Sequence, residues 1–89
     1  MQSHTFFRSY KVAEKTDILL GSGFKRVVLE EEGESSFQTA FEREGDGARV
    51  LLEDRGERLR IYAPTEGGIN AIGLVLGFGK KDLVHTARM

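Results

Sequence analysis

The chain has 89 residues, 39% hydrophobic and 30% charged, with 13 Lys plus Arg against 14 Asp plus Glu, a single Pro and no Cys. That length accommodates one domain, residues 1–89, with a thin core, and the hydrophobic share excludes a fully disordered chain. Absence of cysteine removes disulfides, thiol nucleophiles and Cys-ligated zinc; no signal-peptide stretch opens the chain, and its longest apolar run, residues 73–79, is too short to span a bilayer, so the expectation is a cytoplasmic protein without membrane contact.

Between Tyr10 and Leu20, Val12, Ala13, Thr16, Leu19 and Leu20 follow a three-four spacing, with Ser9 as N-cap and Gly21 as stop. This predicts a first helix over residues 10–20. Alternation of Phe6, Tyr10 and Val12 with Thr5, Ser9 and Lys11 supports a competing strand through residues 5–12. Residues 24–32 (FKRVVLEEE) are β-branched and apolar at their centre and predict a strand. A three-residue loop at Gly33 would turn Val27 and Leu29 inward, whereas a two-residue Gly33-Glu34 turn would select Val28; the first is the expectation.

Residues 35–63 read as a meander, because Asp46-Gly47 and Arg55-Gly56 supply the glycine that tight hairpin loops require. The first loop sets Arg43 opposite Val50 and Phe41 opposite Leu52. The second sets Leu52 opposite Leu59, Val50 opposite Ile61 and Glu53 opposite Arg58. Both turns agree on one apolar face, with Phe37, Phe41, Val50, Leu52, Leu59, Ile61 and Ala63, and on an outer face with Glu42, Glu44, Arg49, Glu53, Arg58, Arg60 and Tyr62. After Pro64, Thr65 is an N-cap, Glu66 complements the helix dipole, and Ile69, Ile72, Val75 and Leu76 recur at helical spacing. A second helix over residues 65–77 follows, its glycines allowing a close approach to the sheet. Residues 80–89 fit a final strand or a short helix. The expected fold is therefore α+β: a four-stranded antiparallel β-meander over residues 24–63, covered on one face by two helices.

Candidate chemistry is sparse. Gly73, Gly77, Gly79 and Lys80 invite comparison with a phosphate loop, but five residues separate Gly73 from Gly79 and Lys81 stands where a hydroxyl is needed. What survives is an anion site of consecutive free N–H groups beside two lysines. Glu42, Glu44, Asp46, Gly47 and Glu53 mimic a calcium loop, yet Arg49 occupies its apolar position and the flanks alternate as strands. The acidic run Glu30, Glu31, Glu32 and Glu34 reads as a charged edge guard. His4 and His85 stand in no triad or zinc spacing. These absences favour a non-enzymatic protein without cofactor or metal.

Charge is segregated: residues 1–29 carry five cations and two anions, residues 30–79 five cations and eleven anions, and residues 80–89 three cations and one anion. Such a pattern fits termini folded over the middle, copies meeting head to tail, or ends that contact phosphate. A small core and open sheet edges point to a homo-oligomer, with a protein partner as a further option. The principal reading is an interaction or assembly domain. The runner-up is single-stranded nucleic-acid or other polyanion binding through Lys25, Arg26, Lys80, Lys81, His85 and Arg88, the cations without close acidic neighbours in this register. A meander followed by a helix is broadly similar to small single-strand-binding folds that dimerise, an analogy of topology with no motif behind it. One Asn, two Gln and more Arg than Lys give a thermophile-like composition.

Overall fold

The computed structural model describes residues 1–28 and 37–84. In chain order these form β1 (Gln2–Phe6), α1 (Val12–Gly21), β2 (Phe24–Val27), β3 (Thr39–Arg43), β4 (Arg49–Leu52), β5 (Leu59–Ala63) and α2 (Glu66–Val75), followed by a 3₁₀ turn at Lys80–Asp82. The α+β class is as expected, but the antiparallel sheet has five strands in the order β1-β5-β4-β3-β2. The additional strand is β1. It pairs with β5 from Gln2↔Ala63 to Phe6↔Leu59. A local reading could not find it, because its partner lies more than fifty residues away and no turn joins them. The competing strand over residues 5–12 overlaps it only at Thr5 and Phe6. Among the described residues no helix is long and apolar enough to cross a membrane.

The hairpin from β4 to β5 has the register that Arg55-Gly56 implies, with Leu52 opposite Leu59 and Val50 opposite Ile61. In the preceding hairpin the register differs by two residues: Phe41 opposes Val50, and Thr39 opposes Leu52. The loop there has four residues instead of two. The Gly47 N–H donates to Arg43 O at 2.9 Å, and Gly47, at φ +74°, closes the loop at its last position. Asp46 braces it, taking bonds from Arg43 Nε at 3.1 Å, Arg43 Nη2 at 2.7 Å and the Ala48 N–H at 3.1 Å. Those bonds, the Arg43 side chain first, hold the Asp46 carboxyl down at about 2. A shift of two preserves the alternation, so each strand residue keeps its face although its partner changes.

Both helices cover one face. Their core joins Phe6, Phe24, Phe41, Val50, Leu52, Leu59, Ile61 and Ala63 of the sheet to Leu19, Ile69, Ile72 and Leu76. Thr65 caps α2 as expected, its hydroxyl accepting from the Gly68 N–H at 3.0 Å. Gly73 has the predicted purpose of close approach: a Cβ there would stand 3.3 Å from both the Phe6 ring and the Leu83 side chain. α1 begins two residues later than expected, behind Lys11, with no side-chain cap, and Gly21 is its last residue. Beyond α2, the Asn70 amide donates to Val84 O at 3.0 Å and accepts from the Val84 N–H at 2.8 Å. Up to Val84 the tail is thus no strand, and its short helix is the single 3₁₀ turn at Lys80–Asp82; His85, Ala87 and Arg88 lie outside the described residues.

Three placements are corrected. Phe37 belongs to the opposite face, buried with Ala40 and Leu51, because β3 starts only at Thr39 and alternation does not extend through the irregular backbone before it. Val27 packs with that same cluster, while Phe24 and Arg26 take the helix side; Val28, which the two-residue alternative would bury, follows the end of β2 and is 76% exposed. Leu29 and the Gly33 loop lie outside the described residues. Val75 is more than half exposed, whereas Ile69, Ile72 and Gly73 form the buried stripe of α2, continued by Leu76 just beyond it.

Tyr10 fastens the segment between β1 and α1 to the β4–β5 loop. Its N–H donates to Gly56 O at 2.8 Å, its hydroxyl donates to Arg58 O at 2.5 Å, and the Glu53 N–H donates to that hydroxyl at 2.9 Å. Gly56 sits at φ +70°, and a Cβ on it would fall 2.3 Å from Tyr10 O. Gly56→Ala is expected to cost roughly 2–4 kcal/mol and Tyr10→Phe about 1–3 kcal/mol in urea unfolding. Burial, with a smaller push from the Glu53 charge, raises the Tyr10 phenol to about 12. Its contribution to stability is therefore complete below the unfolded value near 10 and lost as pH rises toward 12. The wild type should lose stability over that interval by more than Tyr10→Phe does.

Candidate interaction surfaces

The two sheet edges differ in chemistry. β2 is short and carries exposed Lys25 and Arg26; Lys25 Nζ lies 3.4 Å from Glu44 Oε2, and the Arg26 guanidinium rests 5.7 Å from the Phe41 ring centroid. Such charges guard an edge against strand addition. β1 has no guard. Its residues Gln2, Ser3, His4, Thr5 and Phe6 include no Asp, Glu, Lys or Arg, nor does Phe7 after them. All five pair with β5, and among the described residues no strand takes the outer edge. The strand is nonetheless firmly seated. Phe6 stacks on Phe78 at 4.6 Å, the His4 ring meets Phe6 edge-on at 4.8 Å, and Thr5 Oγ1 accepts from Arg60 Nε at 2.8 Å. Met1 and Phe7, flanking β1, are each 71% exposed.

The helix side offers a second apolar surface. No charged residue occurs in residues 67–79. Leu74 and Val75 of α2 and Leu20 of α1 are more than half exposed. Leu19, Phe24, Ala71, Ile72 and Val75 line a dimple of about 80 Å³, with Ser22 and Arg43 at its margin. That volume suits one aliphatic side chain and falls well below the roughly 300–1,000 Å³ of a small-molecule pocket. A larger depression of about 340 Å³ is lined by Gln38, Glu53, Asp54, Arg55 and Glu57. Its Glu53 carboxylate is already bound by Arg58 at 2.6 Å, and no metal-binding cluster occurs among the described residues.

On the sheet face away from the helices, the Arg58 and Arg60 guanidinium groups lie 5.4 and 5.5 Å from the Phe37 ring centroid. Phe37 is only 3% exposed, so the ring is covered and offers no face on which a base could stack. Tyr62 accepts from Arg60 Nη1 at 3.4 Å, and Arg49 Nε is buried without a hydrogen-bond partner among the described residues. Glu42 opposes Arg49 across the strands, and Glu44 turns to Lys25.

Of the cations nominated from sequence, the four described ones do not converge. Lys25 and Arg26 stand on the β2 edge, four strand spacings, roughly 19 Å, from β1. Lys80 and Lys81 occupy the exposed 3₁₀ turn on the β1 side, where Asp82 Oδ1 pairs with Arg8 Nε at 3.3 Å. Nor are the N–H groups before them free. Gly77 N–H donates to Leu74 O, Phe78 N–H to Gly73 O, each at 3.0 Å, and Gly79 N–H to Asp82 Oδ2 at 3.2 Å. The residual anion-loop expectation is withdrawn on that ground. His85 and Arg88 are not among the described residues. The β1 edge and the exposed pair on α2 were missed; their only signal in the sequence is missing charge where an edge strand and an outer helix face should carry it.

Comparison with protein-family models, curated proteins and solved structures found no match to this chain. The assignment of faces makes its own prediction. Leu74→Glu and Val75→Glu should change unfolding free energy by no more than about 0.5 kcal/mol each, whereas Ile72→Ala, between them and the sheet, should cost about 2–5 kcal/mol.

Proposed function

We propose that this chain is a small non-enzymatic interaction and assembly domain whose working form is a homo-oligomer. The single observation that carries this is β1: a five-residue edge strand, fully paired on its inner side, with no charge, proline or bulge to discourage strand addition. Its counterpart, β2, has Lys25 and Arg26. A protein that blunts one edge and leaves the other bare is organised for pairing at the bare one. The helix side then remains for a protein partner, favoured by exposed Leu74 and Val75 on α2 and the side-chain-sized dimple beside them.

Polyanion binding is the second reading. Its support is that Lys80 and Lys81 are exposed and form no salt bridge among the described residues. Against it stand the net charge of −1, the distance between the two cationic groups and the covered Phe37 ring.

Light scattering at micromolar concentration should return at least twice the 9.9 kDa chain mass, independent of moderate salt. A mass of one chain would overturn the assembly reading. Fluorescence anisotropy with a labelled oligonucleotide should show no binding at low salt. Binding that weakens on Lys80→Ala with Lys81→Ala would favour the polyanion reading instead.

A further inference from the structure

We infer that β1 pairs antiparallel with β1 of a second copy about a two-fold axis at His4, joining two five-stranded sheets into one. This rests on the homo-oligomer proposed above and names its interface. The strand is self-complementary. In a closed dimer the same strand must serve as both partners. Centred on His4, β1 sets Gln2 opposite Phe6, Ser3 opposite Thr5 and Met1 opposite Phe7 of the second copy. No opposed pair then brings together charged Asp, Glu, Lys or Arg side chains, since residues 1–7 contain none, and the two large exposed apolar side chains at the ends of the strand find each other, twice. Thioether against aromatic ring is a favourable contact.

The other edge fails the same test. β2 paired with itself about its centre would set Lys25 opposite Arg26 of the second copy, two like-charge pairs in one short ladder. Pairing β1 of one copy to β2 of the next would leave an unused edge at each end and grow a filament instead of a closed dimer. A β1 dimer also keeps the helix side open, because strand addition occurs in the plane of the sheet.

The chain has no cysteine, so single introduced thiols report the register directly. On mild oxidation, His4→Cys alone should form disulfide-linked dimer at least tenfold faster than Ser3→Cys alone or Thr5→Cys alone, because residue 4 is the one that opposes itself. An equimolar mixture of Ser3→Cys and Thr5→Cys should cross-link faster than either by itself. Phe7→Glu, at an exposed position, should weaken the dimer at least tenfold while leaving the circular dichroism spectrum of the chain unchanged. A dimeric mass with no preference for His4→Cys and no effect of Phe7→Glu would overturn this interface and leave the homo-oligomer standing. A monomeric mass at all concentrations would overturn both.

Discussion

The arrangement depends on one clasp. β1 and β2 follow one another in the chain but occupy opposite edges of the sheet, so the segment between them must cross all the other strands, and α1 makes that crossing on one face. Tyr10 fixes where the crossing begins. Three hydrogen bonds from this one residue, one through its N–H and two through its hydroxyl, tie the exit of β1 to the loop between β4 and β5. Gly56 makes the contact attainable, since its carbonyl must approach Tyr10 where a side chain would collide. With that end held, β1 lies beside β5 in register, Phe6 reaches Phe78 and Gly73, and α2 can settle against the sheet.

How much of this was legible in the sequence follows from the range of each signal. The β4–β5 register was legible because a short loop and two alternating strands carry it together. The β3–β4 register was legible only to within two residues: Asp46-Gly47 marks a turn, but the glycine closes a four-residue loop in which Asp46 binds Arg43 and Ala48, a detail of side-chain geometry. Thr65 and Ile69 announced α2 through local capping and spacing. β1 was not legible, since its evidence is a pairing with residues nearly sixty positions away. Phe37 was misplaced for a related reason: alternation predicts a face only where the backbone is already a strand.

The segregated charges are partly taken up in ion pairs. Two cations near the chain start pair outside their own block, Lys25 with Glu44 and Arg8 with Asp82, while Lys15 pairs within it with Glu14, and Arg43 and Arg58 are taken up locally by Asp46 and Glu53. Exposed pairs of this sort contribute little to stability, about 0–1 kcal/mol each. Their consequence is distributional. They leave no convergent cationic patch among the described nominated residues, and they leave two surfaces, the β1 edge and the outer side of α2, almost without charge. Neither surface was nominated by any motif, because a sequence motif records what is present, and here the informative feature is what an edge and an outer helix face lack.

The central claim is that the bare edge of β1 is a pairing edge. Amide hydrogen exchange, followed residue by residue while protein concentration is raised, tests it most directly. N–H groups of β1 that point away from β5 should gain protection with concentration, while outward-pointing groups of β2 exchange at a constant rate. Equal and concentration-independent exchange at both edges would contradict it.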